Sequence, residues 1–356
     1  MNRVAVSLGA LGFLLAQVRA HALPVPAPSA PAAAGPIAPA AQSAPAAPKQ
    51  RGVALGMFAE DVGFSYTPLL AEISSLGATH VSLIVPLYQT HGGSTDLSLH
   101  TRLSPSLPAL AEAIRAARRE GLEVTVFPII RLASPRTPNE WRGTLAPTNR
   151  AAWFRSYGAL LTRIAGIAAV TGATRLVIGS ELSTLDVDVA PWKPLLERVR
   201  GIFPGTLVYS ANWDHYQKAS LLDLVDEDGV VAYFRLRQAE NAPSDVEALS
   251  AGWLKLRAEL ERWRSARGRP LVLTEVGYRS RSGCSLAPWD EAGGGTPDLD
   301  EQRRAFEAFR RVWAGAPSLA GAYIWNWYGW GGAGSTGYTP RRKPAEIEVR
   351  RLLRDL

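Results

Sequence analysis

The chain has 356 residues, 47 % of them hydrophobic and 20 % charged, and a formal net charge of +7. That balance is globular and excludes a fibrous or wholly disordered protein, and a lone cysteine, Cys284, excludes an internal disulfide. Basic and acidic residues are interspersed in segments such as RAELERWRSARGR and DEQRRAFEAFRR, the pattern of solvated helix faces. No nucleic-acid partner is therefore expected.

The first elements are not part of a fold. Arg3 precedes an apolar stretch from Val4 to Leu15, followed by Ala20-His21-Ala22, a small-x-small cleavage pattern. Residues 1–22 read as a secretory signal peptide too short to span a membrane, so export without membrane insertion is expected, to the periplasm or outside the cell. Residues 23–50 are nearly all Pro, Ala and Ser, which bury too little apolar surface to offset their ordering entropy. They read as a disordered linker, leaving one catalytic-sized domain at 51–356.

From there, short apolar runs alternate with amphipathic ones. Strands are predicted at 53–58, 80–86, 122–130, 175–180, 207–213, 230–234, 270–276 and 320–327. Between them, a Ser-x-Pro start and Gly121 bracket a helix over 107–120, with Leu110, Ile114 and Ala117 on one face. Trp153, Tyr157, Leu160, Ile164 and Ile167 recur at helical spacing before Gly172. Thr296-Pro297 reads as the capping pair of a helix through LDEQRRAFEAFRRVW. Eight continuously apolar strands, mostly followed by helices, predict an α/β fold of the (β/α)8 TIM-barrel type in a single domain. No phosphate-cradling glycine fingerprint follows the first strand, which argues against an open dinucleotide-binding sheet.

In such a barrel the chemistry belongs at the C-terminal strand ends. Strand one ends near Phe58, Glu60 and Asp61, strand two at Tyr88 and Gln89, and strand three at Arg131. Strand four ends in Gly179-Ser180-Glu181, strand five in Asn212-Trp213-Asp214-His215, and strand six at Tyr233 and Arg235. Strand seven brings Glu275 and Tyr278, and strand eight Trp325, Asn326, Trp327 and Trp330. The acids of strands four and seven lie across the barrel from one another. Glycosidic cleavage needs such a pair, one protonated acid for the leaving oxygen and one carboxylate for the anomeric carbon. Aromatic faces suit the C–H faces of sugars, and Asn, Arg and Tyr suit their hydroxyls. The competing reading makes each glutamate a structural ion-pair partner of Arg131, Arg235 or Arg279. At least one of Trp325 and Trp327 is expected to belong to the core. His91, Asp96 and His100 share a Gly/Ser-rich loop with no helix to fix ligand geometry, so no metal and no cofactor is expected. Cys284 has no paired base and is expected to be inert.

The segment RPLVLTEVGYRSRSGCSLAPW (269–289) resembles the seventh-strand signature of glycoside hydrolase family 113, a barrel family of a large retaining clan that includes β-1,4-mannanases. DEDGVVAYFRL (226–236) resembles its sixth-strand segment and AGAYIWNWYGWGG (320–332) its eighth, and the resemblance spans about 52–340. It implies a retaining glycoside hydrolase acting on β-linked polysaccharide, β-1,4-mannan or a related glycan, as a monomer. Glu275 would be the nucleophile and Glu181 the acid/base, with Glu60 or Asp61 as the next candidates should Glu181 not serve. Ser180, Asn212, Trp213, Tyr233, Tyr278, Trp325, Trp327, Arg131 and Tyr88 would bind substrate, and Tyr233 would lower the Glu275 pKa by hydrogen bonding. The clan commonly has Asn where this chain has Ser180, which weakens the assignment to mannan. A non-catalytic saccharide-binding barrel and a transglycosidase acting on exopolysaccharide share these residues and remain the alternatives.

Overall fold

A computed structural model describes residues 48–61 and 63–356. The predicted signal peptide and residues 23–47 of the predicted linker lie outside the described residues. Eight parallel strands close on themselves: β1 (Gln50–Gly56), β2 (His80–Gln89), β3 (Glu123–Leu132), β4 (Arg175–Ser180), β5 (Thr206–Ala211), β6 (Glu227–Val231), β7 (Leu271–Val276) and β8 (Leu319–Ile324). Each pairs with its sequence neighbour, and β1 also pairs with β8. All eight predicted strands are present, and the result is the predicted (β/α)8 barrel. The first strand starts at Gln50, the last residue assigned to the linker, because the Gln50 amide is anchored on Glu227 at 3.1 Å. A two-residue antiparallel strand, Leu97–Ser98, folds back on the end of β2.

Seven α-helices cover the barrel among the described residues: α1 (Thr67–Ser75), α2 (Leu107–Arg119), α3 (Arg150–Thr171), α4 (Trp192–Arg200), α5 (Val246–Arg267), α6 (Leu299–Trp313) and α7 (Ala345–Asp355). Between β5 and β6 the crossover holds only two short 3-10 turns, Tyr216–Lys218 and Ser220–Leu224. No described helix is long and apolar enough to cross a membrane. Local chemistry sets the helix ends. The Ser106 side chain caps α2, and Asn149 caps α3, which stops at Gly172 in the left-handed region at φ 88°. For α6 the predicted Thr296-Pro297 cap is displaced. Asp298 accepts from the Asp300 and Glu301 amides, while Pro297 bridges to Arg281 two residues earlier. A carboxylate in the positive field of a helix start caps better than a threonine placed outside it.

Alternation along the strands divides the core in two. Ala54, Ile84, Phe127, Val177, Val208 and Val231 fill the lumen, while Val53, Leu55, Leu83, Val85, Val126 and Ile178 pack beneath the helices. At the N-terminal end, Tyr323 donates to Gln50 at 2.8 Å and Arg175 pairs with Glu227, so a polar layer plugs the lumen. At the opposite end the ladder is irregular on β4, beyond Val177, and on β7, between Leu273 and Val276. A bulge adds a residue to one strand and re-aims the side chains that follow. Thus Thr274, bonded to Ser210, and Glu275, bonded to Tyr233, both face inward although they are consecutive.

The outer core is anchored by aromatic packing around Trp253 on α5. This fully buried ring meets Phe234, Phe309 and Trp313 edge-on, and its Nε1 donates to the Tyr278 hydroxyl at 2.9 Å. Trp253→Ala is expected to lower unfolding free energy by about 3–5 kcal/mol, since the helix–sheet gap cannot collapse around the cavity. Urea unfolding followed by far-UV circular dichroism measures this; a loss under about 1 kcal/mol would contradict the packing described.

Candidate active site

The two strand-end glutamates meet the same mouth. Glu275, on β7, is 1 % exposed, and its Oε2 accepts from the Tyr233 hydroxyl at 2.9 Å. Glu181 follows β4 at 4 % exposure, with its amide donating to the Ser210 carbonyl at 2.8 Å. Its φ of 55° is in the left-handed region, which an ordinary side chain enters only when its surroundings hold it there. Glu181 Oε2 accepts from Arg142 Nε at 2.8 Å and also from Arg142 Nη2. The guanidinium sits in the 3-10 turn Arg142–Thr144, in the long segment after β3.

These three groups form one electrostatic unit. Burial pushes the Glu275 carboxyl up to about 8; the Glu181 charge adds to this, while the Arg142 charge and the Tyr233 bond pull it down. The tyrosine thus acts in the expected direction, but desolvation outweighs it. Burial opposes the Arg142 charge, yet Glu181, Glu275 and Glu291 together outweigh that and raise its pKa.

Around them runs a wall of aromatic rings. Trp325, at the end of β8, lies 6.4 Å from the Phe58 ring, and its peptide bond to Asn326 is cis. Trp213 stacks on Trp289 at 4.8 Å, and Tyr233 lies 5.8 Å from Tyr338, which donates to the Pro288 carbonyl. Arg281 clamps the loop bearing Trp289 by pairing with Asp290 and donating to Gly294. Trp325, Arg142, Trp141, Arg131, Glu140 and Glu291 border an open cleft of about 600 Å³.

The remaining expected residues divide. Ser180 is buried at the end of β4, and its hydroxyl has no hydrogen-bond partner among the described residues. Arg131 lies on the lip of the cleft, over the Phe58 ring. Asn212 lies in the turn after β5, where its amide donates to Asp214 and accepts from the Trp213 backbone. Tyr88 stands at the end of β2 with its ring against His100. Two residues are misassigned as substrate contacts. Tyr278 is fully buried, accepting from Trp253 and edge-on to Phe306 of α6. Trp327 is likewise buried among the helix-facing core and donates to Glu72 of α1 at 3.0 Å. Regular alternation would send Trp325 and Trp327, two residues apart, to one face; both lie past the end of β8, where the chain has left strand geometry, and Trp325 packs with the lumen residues while Trp327 and Tyr278 pack with the helix-facing core.

None of the arginines weighed as structural mates pairs with either glutamate. Arg131 and Arg235 lie over aromatic rings, and Arg279 donates to the carbonyls of Thr336, Glu291 and Gly293. Arg142 does pair, and no periodic or motif signal marked it, because it sits in a loop placed by tertiary contacts. Trp289, in the quoted strand-seven segment, was legible as a tryptophan but not as a wall of the cleft. Glu60 is exposed and bound to Arg102, and Asp61 caps the Gly63 amide, so neither replaces Glu181 in the lumen. Both His91 and His100 hydrogen-bond within their own loop through Nδ1.

Known proteins share this fold. The family model for Glycoside Hydrolase Family 113 matches residues 63–330. The family 113 β-mannanase of Alicyclobacillus acidocaldarius, solved with ManMIm, superposes with a TM-score of 0.74 at 24 % identity, covering 86 % of this chain and 98 % of that one. A second family 113 β-1,4-mannanase structure gives a TM-score of 0.73 at 19 % identity, over 86 % and 99 %. A Faecalibacterium prausnitzii β-glucuronidase gives 0.58 at 14 %, over 86 % of this chain and 49 % of that one. No curated protein sequence matches significantly. With most of its length matched by the family model and its barrel shared with mannanases, the chain belongs to glycoside hydrolase family 113.

Proposed function

We propose that this glycoside hydrolase cleaves β-1,4-mannan or a related β-linked glycan by double displacement, with Glu275 as nucleophile and Glu181 as acid/base. The observation that carries this reading is the buried pair itself, two carboxylates at the ends of β4 and β7 close enough to act on each other, with Tyr233 bonded to one and Arg142 to the other. A sugar ring lies on Trp325 with its anomeric carbon toward Glu275. In the resting site burial keeps the proton on Glu275, and Arg142 pairs with Glu181. Substrate draws Arg142 off Glu181, and the proton moves from Glu275 to Glu181. The Glu275 carboxylate then attacks the anomeric carbon while Glu181 protonates the departing oxygen, forming a glycosyl ester. Tyr233 keeps its hydrogen bond to the nucleophile. Glu181, now a carboxylate, removes a proton from water as that water attacks the ester and frees Glu275.

The unpartnered Ser180 hydroxyl supports a role as a short contact for a sugar hydroxyl, where the clan commonly offers an amide. The likeness to β-mannanases supports mannan as the first substrate to try. The apolar stretch from Val4 to Leu15 and the cleavage pattern at Ala20-His21-Ala22 support export, and the protein is proposed to work as a monomer.

The test is a panel of β-mannan, β-glucan, xylan and galactan oligosaccharides, with products read by mass and anomer-resolved NMR. Wild type should cleave at least one member, with the β-anomer appearing first, and Glu275→Ala should lower kcat by roughly 10⁴-fold or more. Equal activity in both proteins would remove Glu275 as nucleophile. Binding without turnover, unchanged in Glu275→Gln, would favour the saccharide-binding barrel, and lengthened products would favour transglycosylation.

Arg142→Met gives a second test with a defined sign. The guanidinium lowers the Glu275 pKa, so its loss raises the pH at which the nucleophile ionises. Ionisation of Glu275 removes the proton that the proposed mechanism passes to Glu181, so the alkaline limb of kcat/KM against pH should move to higher pH. An unmoved limb, or one moved to lower pH, would show that Arg142 does not tune the pair.

A further inference from the structure

We infer that Tyr209, Asp186 and His215 form a buried relay that positions Glu181 for proton transfer. The inference rests on the acid/base reading of Glu181, and it explains how a glutamate is held at φ 55°. Such a backbone costs on the order of 1–3 kcal/mol and persists only where neighbouring bonds over-determine it.

Those bonds run from the residue after Glu181. The Leu182 amide donates to the Tyr209 hydroxyl at 3.0 Å, and that hydroxyl donates in turn to Asp186 Oδ2 at 2.6 Å. The other Asp186 oxygen meets His215 Nε2 at 3.0 Å. The Asp186 backbone is fixed as well, since its amide donates to the Leu182 carbonyl and its carbonyl accepts from the Leu221 amide. Tyr209 is fully buried on the helix-facing side of β5, and the Asp186 carboxyl has no exposed surface.

Tyr209 sits outside the lumen in the helix-facing core, and Asp186 has no exposed surface beside it. The relay's polar atoms are placed where an apolar pair would fill the space without burying a carboxylate. It ties the turn carrying Glu181 to the turn carrying Asn212 and Trp213, whose ring forms the cleft wall with Trp289. Room for the relay comes from Gly179, where an added Cβ would stand 3.0 Å from Leu182 and 3.3 Å from the Tyr209 ring. Burial pushes the Tyr209 hydroxyl well above its ordinary range, and the Asp186 charge adds to this, so it stays a donor.

The experiment compares kcat/KM of wild type, Tyr209→Phe and Asp186→Asn on phenyl and 2,4-dinitrophenyl β-mannobiosides, or the same aryl glycosides of whichever sugar the panel selects. Dinitrophenolate leaves without a proton, so a misplaced acid slows only the phenyl substrate. Displacing a catalytic group by about 1 Å costs on the order of 100-fold, so the variants should lose roughly 10- to 100-fold on the phenyl glycoside and keep wild-type values on the dinitrophenyl one. Equal loss on both substrates, or no loss, overturns the inference. Glu181→Ala is the control. If it shows the same leaving-group dependence while Tyr209→Phe does not, the relay fails and the proposed mechanism stands. If Glu181→Ala is insensitive to the leaving group, the acid assignment itself falls, and the relay with it. A crystal structure of Tyr209→Phe needs no substrate: Glu181 leaving the left-handed region supports the relay, and an unchanged Glu181 and Leu182 backbone overturns it.

Discussion

Two carboxylates closed into one barrel mouth repel each other, and the site is built around that constraint. Glu181 and Glu275 are both nearly inaccessible to water, so neither charge can be screened by solvent. Arg142 answers the constraint from the loop after β3. Its guanidinium gives Glu181 a counter-charge and lowers the pKa of Glu275.

The barrel makes this arrangement rigid. Its lumen is filled by small and branched side chains below the site and plugged by a polar layer at the far end, so strand ends cannot drift. Ladder irregularities near both glutamates convert regular strands into projecting side chains. The left-handed backbone of Glu181 is the most demanding result, held on one side by Ser210 and on the other by the Tyr209 hydroxyl.

Much of the framework was legible in the chain. Strands as continuous apolar runs follow directly from burial on both faces of a parallel sheet, and helix ends at Ser106 and Gly172 follow from capping and from the freedom of glycine at positive φ. The acids at Glu181 and Glu275 stood out because apolar strands rarely end on a carboxylate. The cap of α6 was misplaced, since Thr296-Pro297 and Asp298 both carry helix-start signals and only the path of the chain chooses between them. Tyr278 and Trp327 were misread for a related reason. Composition marks an aromatic residue near a strand end, but its direction depends on bulges and bends that leave no periodic trace.

The sequence by itself determined the number and order of strands, hence the barrel, and put two carboxylates at strand ends that closure brings face to face. These follow from local hydrophobic pattern and chain order, which every residue reports independently. Tertiary structure alone decided that Trp325 rather than Trp327 faces the cleft, that Arg142 rather than Arg131, Arg235 or Arg279 meets a glutamate, and that burial of Glu275 outweighs its tyrosine. Each of those depends on distance and desolvation between segments far apart in the chain, quantities that exist only once the barrel has closed.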